Sequence, residues 1–147
     1  MPNIHPIVVH FPVALLTTAF VFDLIGRIWK KEECTRVGWW TQLAGTIGLA
    51  AAAGSGLLAE KTVPLLRLAK PFIEMHEQLA FASTGFFALL LFWRIAGKTR
   101  LPERYATLYL MILFGGVVCL WAGAWYGGEM VYRIGVGVRT VTGGPGG

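Results

Sequence analysis

The chain has 147 residues, 55% hydrophobic and 14% charged, with a formal net charge of +5 and a mean hydropathy of +0.59. That balance excludes an ordinary water-soluble domain, and the length admits one domain. The basic residues fall mainly in short loops between apolar runs, not on a stripe with interleaved aromatics. This excludes a nucleic-acid surface and marks them as topology signals.

A helix needs about 20 apolar residues to cross roughly 30 Å of hydrocarbon, and four such runs can be drawn. Residues Met1 to Pro6 lack the positive n-region of a signal peptide, so the first run is expected to be a retained span from about Pro6 to Ile28. Pro6 suits a first helical position. Pro12 removes a backbone bond and predicts an opening or kink between Val8 and Pro12. Asp23 precedes Arg27 by four residues, which reads as an i,i+4 ion pair near the far interface. The sharper reading is an intramembrane functional acid.

A short polar loop from Arg27 to Arg36 leads to the second span, about Val37 to Ala59, dominated by alanine and glycine. The spacing of Ala44, Gly48 and Ala52 permits close helix approach, or leaves room for a flat cofactor. Glu60 to Glu74, broken by Pro64 and Pro71, is expected to be an amphipathic interfacial connector. The third span runs from about His76 to Trp93, a basic loop from Arg94 to Arg104, and the fourth span from Tyr105 to Tyr126. The stretch beyond Gly127-Gly128 ends, up to Val138, in glycines alternating with apolar residues, which predicts an extended C-terminal segment. The expected fold class is all-α, a four-transmembrane-helix bundle. It has an amphipathic connector between helices 2 and 3 and an extended C-terminal segment. Residues 1–139 form the domain and 140–147 a flexible tail.

The loops after the first and third spans carry Arg27, Lys30, Lys31, Arg36, Arg94, Lys98, Arg100 and Arg104. The other side carries Lys61, Arg67, Lys70, Arg133 and Arg139. The positive-inside rule then places both termini on the periplasmic side of a bacterial cytoplasmic membrane.

On that orientation all three histidines, His5, His10 and His76, share the outer face, together with Glu60, Glu129, Met130 and Tyr132. His10 lies about one turn inside the membrane, where a polar group is costly and faces an interior or a partner. Three readings stay open. One is haem b held by His10 and His76 as axial ligands, with His5 beside them. Met75 or Met130 is a substitute ligand, and Arg67, Lys70 or Arg133 pair with propionates. Another is a copper, zinc or iron ion on His10 and His76 with Glu60 or Glu129. The last is purely structural: histidines bonded to carbonyls freed by Pro6 and Pro12, to Glu129 and to Tyr132.

Other features favour bland roles. Phe86-Phe87 and Trp39-Trp40 read as lipid contact or interfacial belt, and Cys119 as a small packing residue. With Cys34 it forms no C-x-x-C or C-x-x-C-H pattern, which excludes covalent c-type haem and a paired-cysteine zinc or iron–sulfur site. No catalytic arrangement has a supporting motif.

The stretches His5-Pro-Ile-Val-Val-His-Phe-Pro-Val-Ala-Leu15 and Gly127-Gly-Glu-Met-Val-Tyr-Arg-Ile-Gly-Val-Gly137 resemble the opening and closing motifs of a family of bacterial membrane proteins. That family is catalogued as domain of unknown function 2231. The resemblance covers nearly the whole chain. It implies a four-helix membrane domain, often found near redox proteins, with His5, His10 and His76 at the family's histidine positions. The function expected is a membrane electron-transfer subunit with haem b near the outer leaflet. Its partners would be a periplasmic cytochrome or quinone and other subunits of a redox complex. The alternative is a non-redox accessory subunit of a larger membrane complex, or a metal-ion protein. An electron-transfer or accessory subunit is expected in preference to a stand-alone enzyme.

Overall fold

The computed structural model describes residues 5–60, 69–98, 100, 101 and 103–136, the side chains of Pro6, Ala59 and Glu60 excepted. Five α-helices follow one another: α1 (His5–Val8), α2 (His10–Trp29), α3 (Glu32–Glu60), α4 (Lys70–Ala96) and α5 (Ala106–Tyr132), the last entered through a 3-10 turn, Glu103–Tyr105. The all-helical expectation holds among the described residues. The connector expected from Glu60 to Glu74 falls largely on 61–68, outside the described residues, as does the tail.

Local chemistry explains the element ends. α2 stops where Lys30 takes left-handed angles (φ 52°) and gives its N–H to Gly26 O. Gly26 is required there, because a Cβ would stand 2.5 Å from Thr35 Cγ2. Glu32 and Glu33 open α3, where negative charge complements the helix dipole. Pro71 sits in the first turn of α4, where its missing N–H leaves nothing unsatisfied. The break at Val9, between α1 and α2, falls inside the stretch that Pro12 was expected to open.

The end of α5 differs from expectation. It runs on through Tyr132, past the Tyr126 end expected for the fourth span. The helix then closes in an αL motif: Gly135 N–H reaches Val131 O at 3.2 Å, and Val136 N–H reaches Met130 O at 2.9 Å. Gly135 supplies the positive φ of 76° that this motif demands. The i,i+4 pair of Glu129 with Arg133, 3.2 Å apart, supports this last stretch of helix.

α2 and α3 pack as one antiparallel hairpin and α4 and α5 as another; α2 also meets α5, and α3 meets α4. The core between them holds Leu16, Leu49, Phe87, Leu90, Tyr109, Leu113, Val117 and Leu120. Phe87 is therefore a core residue and not a lipid contact. Its ring lies against Gly116, where a Cβ would come within 3.3 Å. Phe86, by contrast, is exposed, as are Leu89, Phe92, Met111, Phe114, Val118 and Trp121. An apolar exterior of this kind belongs in lipid.

Among the described residues, three segments are long and apolar enough to cross a membrane: His10–Trp29, Lys70–Ala96 and Glu103–Tyr132. α3 has the length, but its run of alanine, glycine, threonine and serine lowers its hydropathy. It stands as the fourth helix of the bundle.

Candidate functional sites at the two ends of the bundle

The packing pairs set a constant register across the helices. His5 on α1 meets Ser55 and Gly56 on α3 and His76 on α4, while His76 meets Gly123 and Gly127 on α5. At the other end Asp23 on α2 lies against Gly38 on α3 and Arg94 on α4, close to Tyr109 on α5. Polar groups thus gather in two layers. They are eighteen residues apart along α4, or about 27 Å at 1.5 Å per residue, close to the thickness of the hydrocarbon. Trp39 and Trp93 mark one layer and Trp125 and Tyr126 the other, as aromatic belts do.

In the first layer the rings of His5 and His76 have centroids 6.1 Å apart and planes crossing at 86°. His76 Nδ1 lies 2.8 Å from Gly123 O. A carbonyl only accepts, so Nδ1 carries the hydrogen, and in the neutral ring Nε2 holds the lone pair. Ser55 directs its hydroxyl hydrogen to Ala52 O at 2.8 Å. Its oxygen therefore accepts from His5 Nδ1–H, 2.9 Å away, and His5 takes the same tautomer. Burial and the charge of neighbouring His76 lower the His5 pKa below its usual 6.5, opposed by a bond to Ala52.

Glycines flank this pair closely on both sides. A Cβ at position 56 would come within 3.1 Å of His5 Cε1, and one at 127 within 3.3 Å of His76 Cε1. Gly54 and Gly128, beside them in sequence, face open space.

Of the residues singled out from the sequence, the structure brings His5 and His76 together. His10 is exposed, one turn further along. Arg133 bonds Glu129 at 3.2 Å on the α5 surface. Arg67 lies outside the described residues, and so does the Glu60 side chain. Met75 is exposed and Met130 half-buried.

The second layer went unrecognised in the sequence. Asp23 does not form an i,i+4 pair with Arg27, which is exposed. It pairs instead with Arg94, both side chains having no solvent exposure. The fork is bidentate: Nη1 to Oδ2 at 2.5 Å and Nη2 to Oδ1 at 3.0 Å. Arg94 also donates to Thr35 O at 2.6 Å and Gln42 Oε1 at 3.1 Å, and Tyr109 donates to Gln42 Oε1 at 2.7 Å. The Trp39 ring lies 5.8 Å from the guanidinium. Arg94 is thus no loop cation; it is buried and ties the two hairpins together. Gly38 makes the approach possible, since a Cβ there would collide with the Asp23 carboxylate.

With its charges paired and its oxygens occupied, the second layer is built to hold. The first layer sets two imidazoles of one tautomer in a T-shaped contact, 6.1 Å between centroids. Among the described residues, no group of three or more His, Cys, Asp and Glu gathers that could hold a metal ion.

A family model described as predicted membrane protein (DUF2231) matches residues 1–140. No curated protein and no solved structure matches the chain.

Proposed function

We propose that this chain, which belongs to the DUF2231 family of predicted membrane proteins, is a membrane electron-transfer subunit that holds one b-type haem between His5 and His76. One observation carries the reading. Two imidazoles on opposite sides of one metal, each with its nitrogen about 2.0 Å away, have ring centres roughly 6 Å apart. His5 and His76 stand 6.1 Å apart, each anchored through Nδ1.

The donor set favours haem over a bare ion. A copper or zinc ion needs three or four protein donors, and two described histidines fall short. A porphyrin brings four nitrogens and needs only the axial pair. When bound, the group supplies reversible one-electron transfer.

The chain's own residues do the positioning. The Gly123 carbonyl and the Ser55 hydroxyl fix ring orientation and tautomer, and raise the basicity of each Nε2. Gly56 and Gly127 let the rings seat against α3 and α5. Arg133 serves as a partner for a propionate at the surface, a role also expected of Arg67 from the sequence. The basic loops support an orientation with this layer on the periplasmic side, facing a cytochrome or quinol. This modifies the expectation of His10 as axial ligand, because His5 shares the layer with His76.

A second reading, an accessory subunit, draws on α3. Its exposed line of Trp40, Ala44, Ile47, Ala51, Gly54 and Leu58 is suited to packing on another membrane helix.

The test is a reduced-minus-oxidised visible spectrum of protein expressed with haem precursor, with a pyridine haemochrome count. One haem b per chain is expected, lost in His76→Ala and kept in His10→Ala. Colourless wild-type protein defeats the proposal.

A further inference from the structure

The two histidines of the outer layer are mounted very differently. His76 lies inside the 27-residue α4, with its ring tied to α5 through Gly123 O. It cannot leave without moving two long helices. His5 begins α1, which is four residues long. α1 rests on α3 and α2, and its Ile7 is 67% exposed. His5 reaches the layer through Ser55 Oγ and the edge of the His76 ring.

The junction behind α1 is weakened by Pro12. Val9 keeps helical angles, φ −65° and ψ −23°, so the direction of the chain hardly changes. The helix ladder, however, lacks the bond that an N–H at position 12 would give to the Val8 carbonyl. α1 is thus a strap joined to the bundle by an interrupted turn.

We infer that His5 is a displaceable ligand and His76 the fixed one, so that the haem position on the α1 side takes small neutral diatomic ligands when the strap lifts. This rests on the haem reading above. The exchange breaks the bond from His5 Nε2 to ferrous iron and forms one from iron to the incoming ligand's donor atom. The imidazole departs neutral, and no oxidation state changes.

The experiment uses carbon monoxide as the probe, added to dithionite-reduced full-length protein in lipid nanodiscs. Wild-type protein should give a carbon monoxide difference spectrum, at a rate that levels off as gas concentration rises because strap opening limits it. His5→Ala should keep its haem and lose that plateau, binding in proportion to gas concentration. Pro12→Ala restores one backbone hydrogen bond and should slow the plateau rate by about five- to tenfold. Haem-loaded wild type that gives no spectrum overturns the inference while leaving the haem reading intact. So does loss of haem in His5→Ala as complete as in His76→Ala, or an unchanged plateau rate in Pro12→Ala. Wild type without haem overturns the reading beneath it.

Discussion

Replacing Arg94 by Met removes the cation that joins the two hairpins. It leaves Asp23 buried with no solvent exposure, and it deprives Thr35 O and Gln42 Oε1 of a donor. Two magnitudes bear on the outcome. Neutral hydrogen bonds inside membrane proteins average about 0.6 kcal/mol, whereas stranding one partner of a buried ion pair costs about 3–5 kcal/mol. The larger figure governs here, because the residue left behind is a carboxylate at zero exposure and no screening softens it. The variant should therefore lose about 3–5 kcal/mol, a shift of roughly 150- to 5,000-fold in the unfolding equilibrium. The assay is reversible unfolding in mixed micelles, followed by tryptophan fluorescence or circular dichroism. The double variant Asp23→Leu/Arg94→Met removes both charges and should be more stable than Arg94→Met alone, since apolar replacement of a whole pair is often neutral or better. A loss below about 1 kcal/mol in Arg94→Met, or a double variant whose loss equals the sum of the singles, would refute the reasoning.

Two further outcomes follow from the same geometry. Gly38→Ala places a Cβ on the Asp23 carboxylate and should cost about 1–3 kcal/mol, whereas Gly54→Ala, which meets open space, should be near neutral; equal losses in the same unfolding assay would contradict the packing. In haem-free protein, docking of α1 should weaken with acid. Its folded His5 pKa lies below the usual 6.5, so the undocked strap binds the proton more readily; docking is full above that value and declines as pH falls beneath it. Hydrogen exchange at residues 7–9 measures this, and protection that rises on acidification has the wrong sign.

Much of the fold was legible because hydrophobic run length is a property of the chain alone. The grouping of His5 with His76 followed from helix order, since odd and even spans alternate in direction. That His5, and not His10, stands beside His76 did not. It depends on α2 and α4 running in fixed register, so that His5 and Asp23 stand level with His76 and Arg94. Asp23 was assigned to Arg27 because the i,i+4 rule sees only one helix, whereas the real partner is seventy-one positions away. A signal was present, though weak. One acid sat inside the first span and one base closed the third, at the same membrane depth. The helical course of Glu129 to Tyr132 was missed because the paired glycines, poor helix formers, suggested an end at Tyr126, whereas Glu129 and Arg133 support a further turn.

The two polar layers about 27 Å apart along α4 have a consequence for where the protein can live. A bilayer that is much thicker would pull the imidazole pair or the guanidinium clasp under the acyl chains, and a thinner one would strand apolar core surface in water. Either mismatch costs fractions of a kcal/mol per Å, and tilting relieves only the thinner case. The bundle therefore carries a fixed gauge of acyl-chain length, and a host that altered its lipid composition would alter the seating of both ends of this molecule at once.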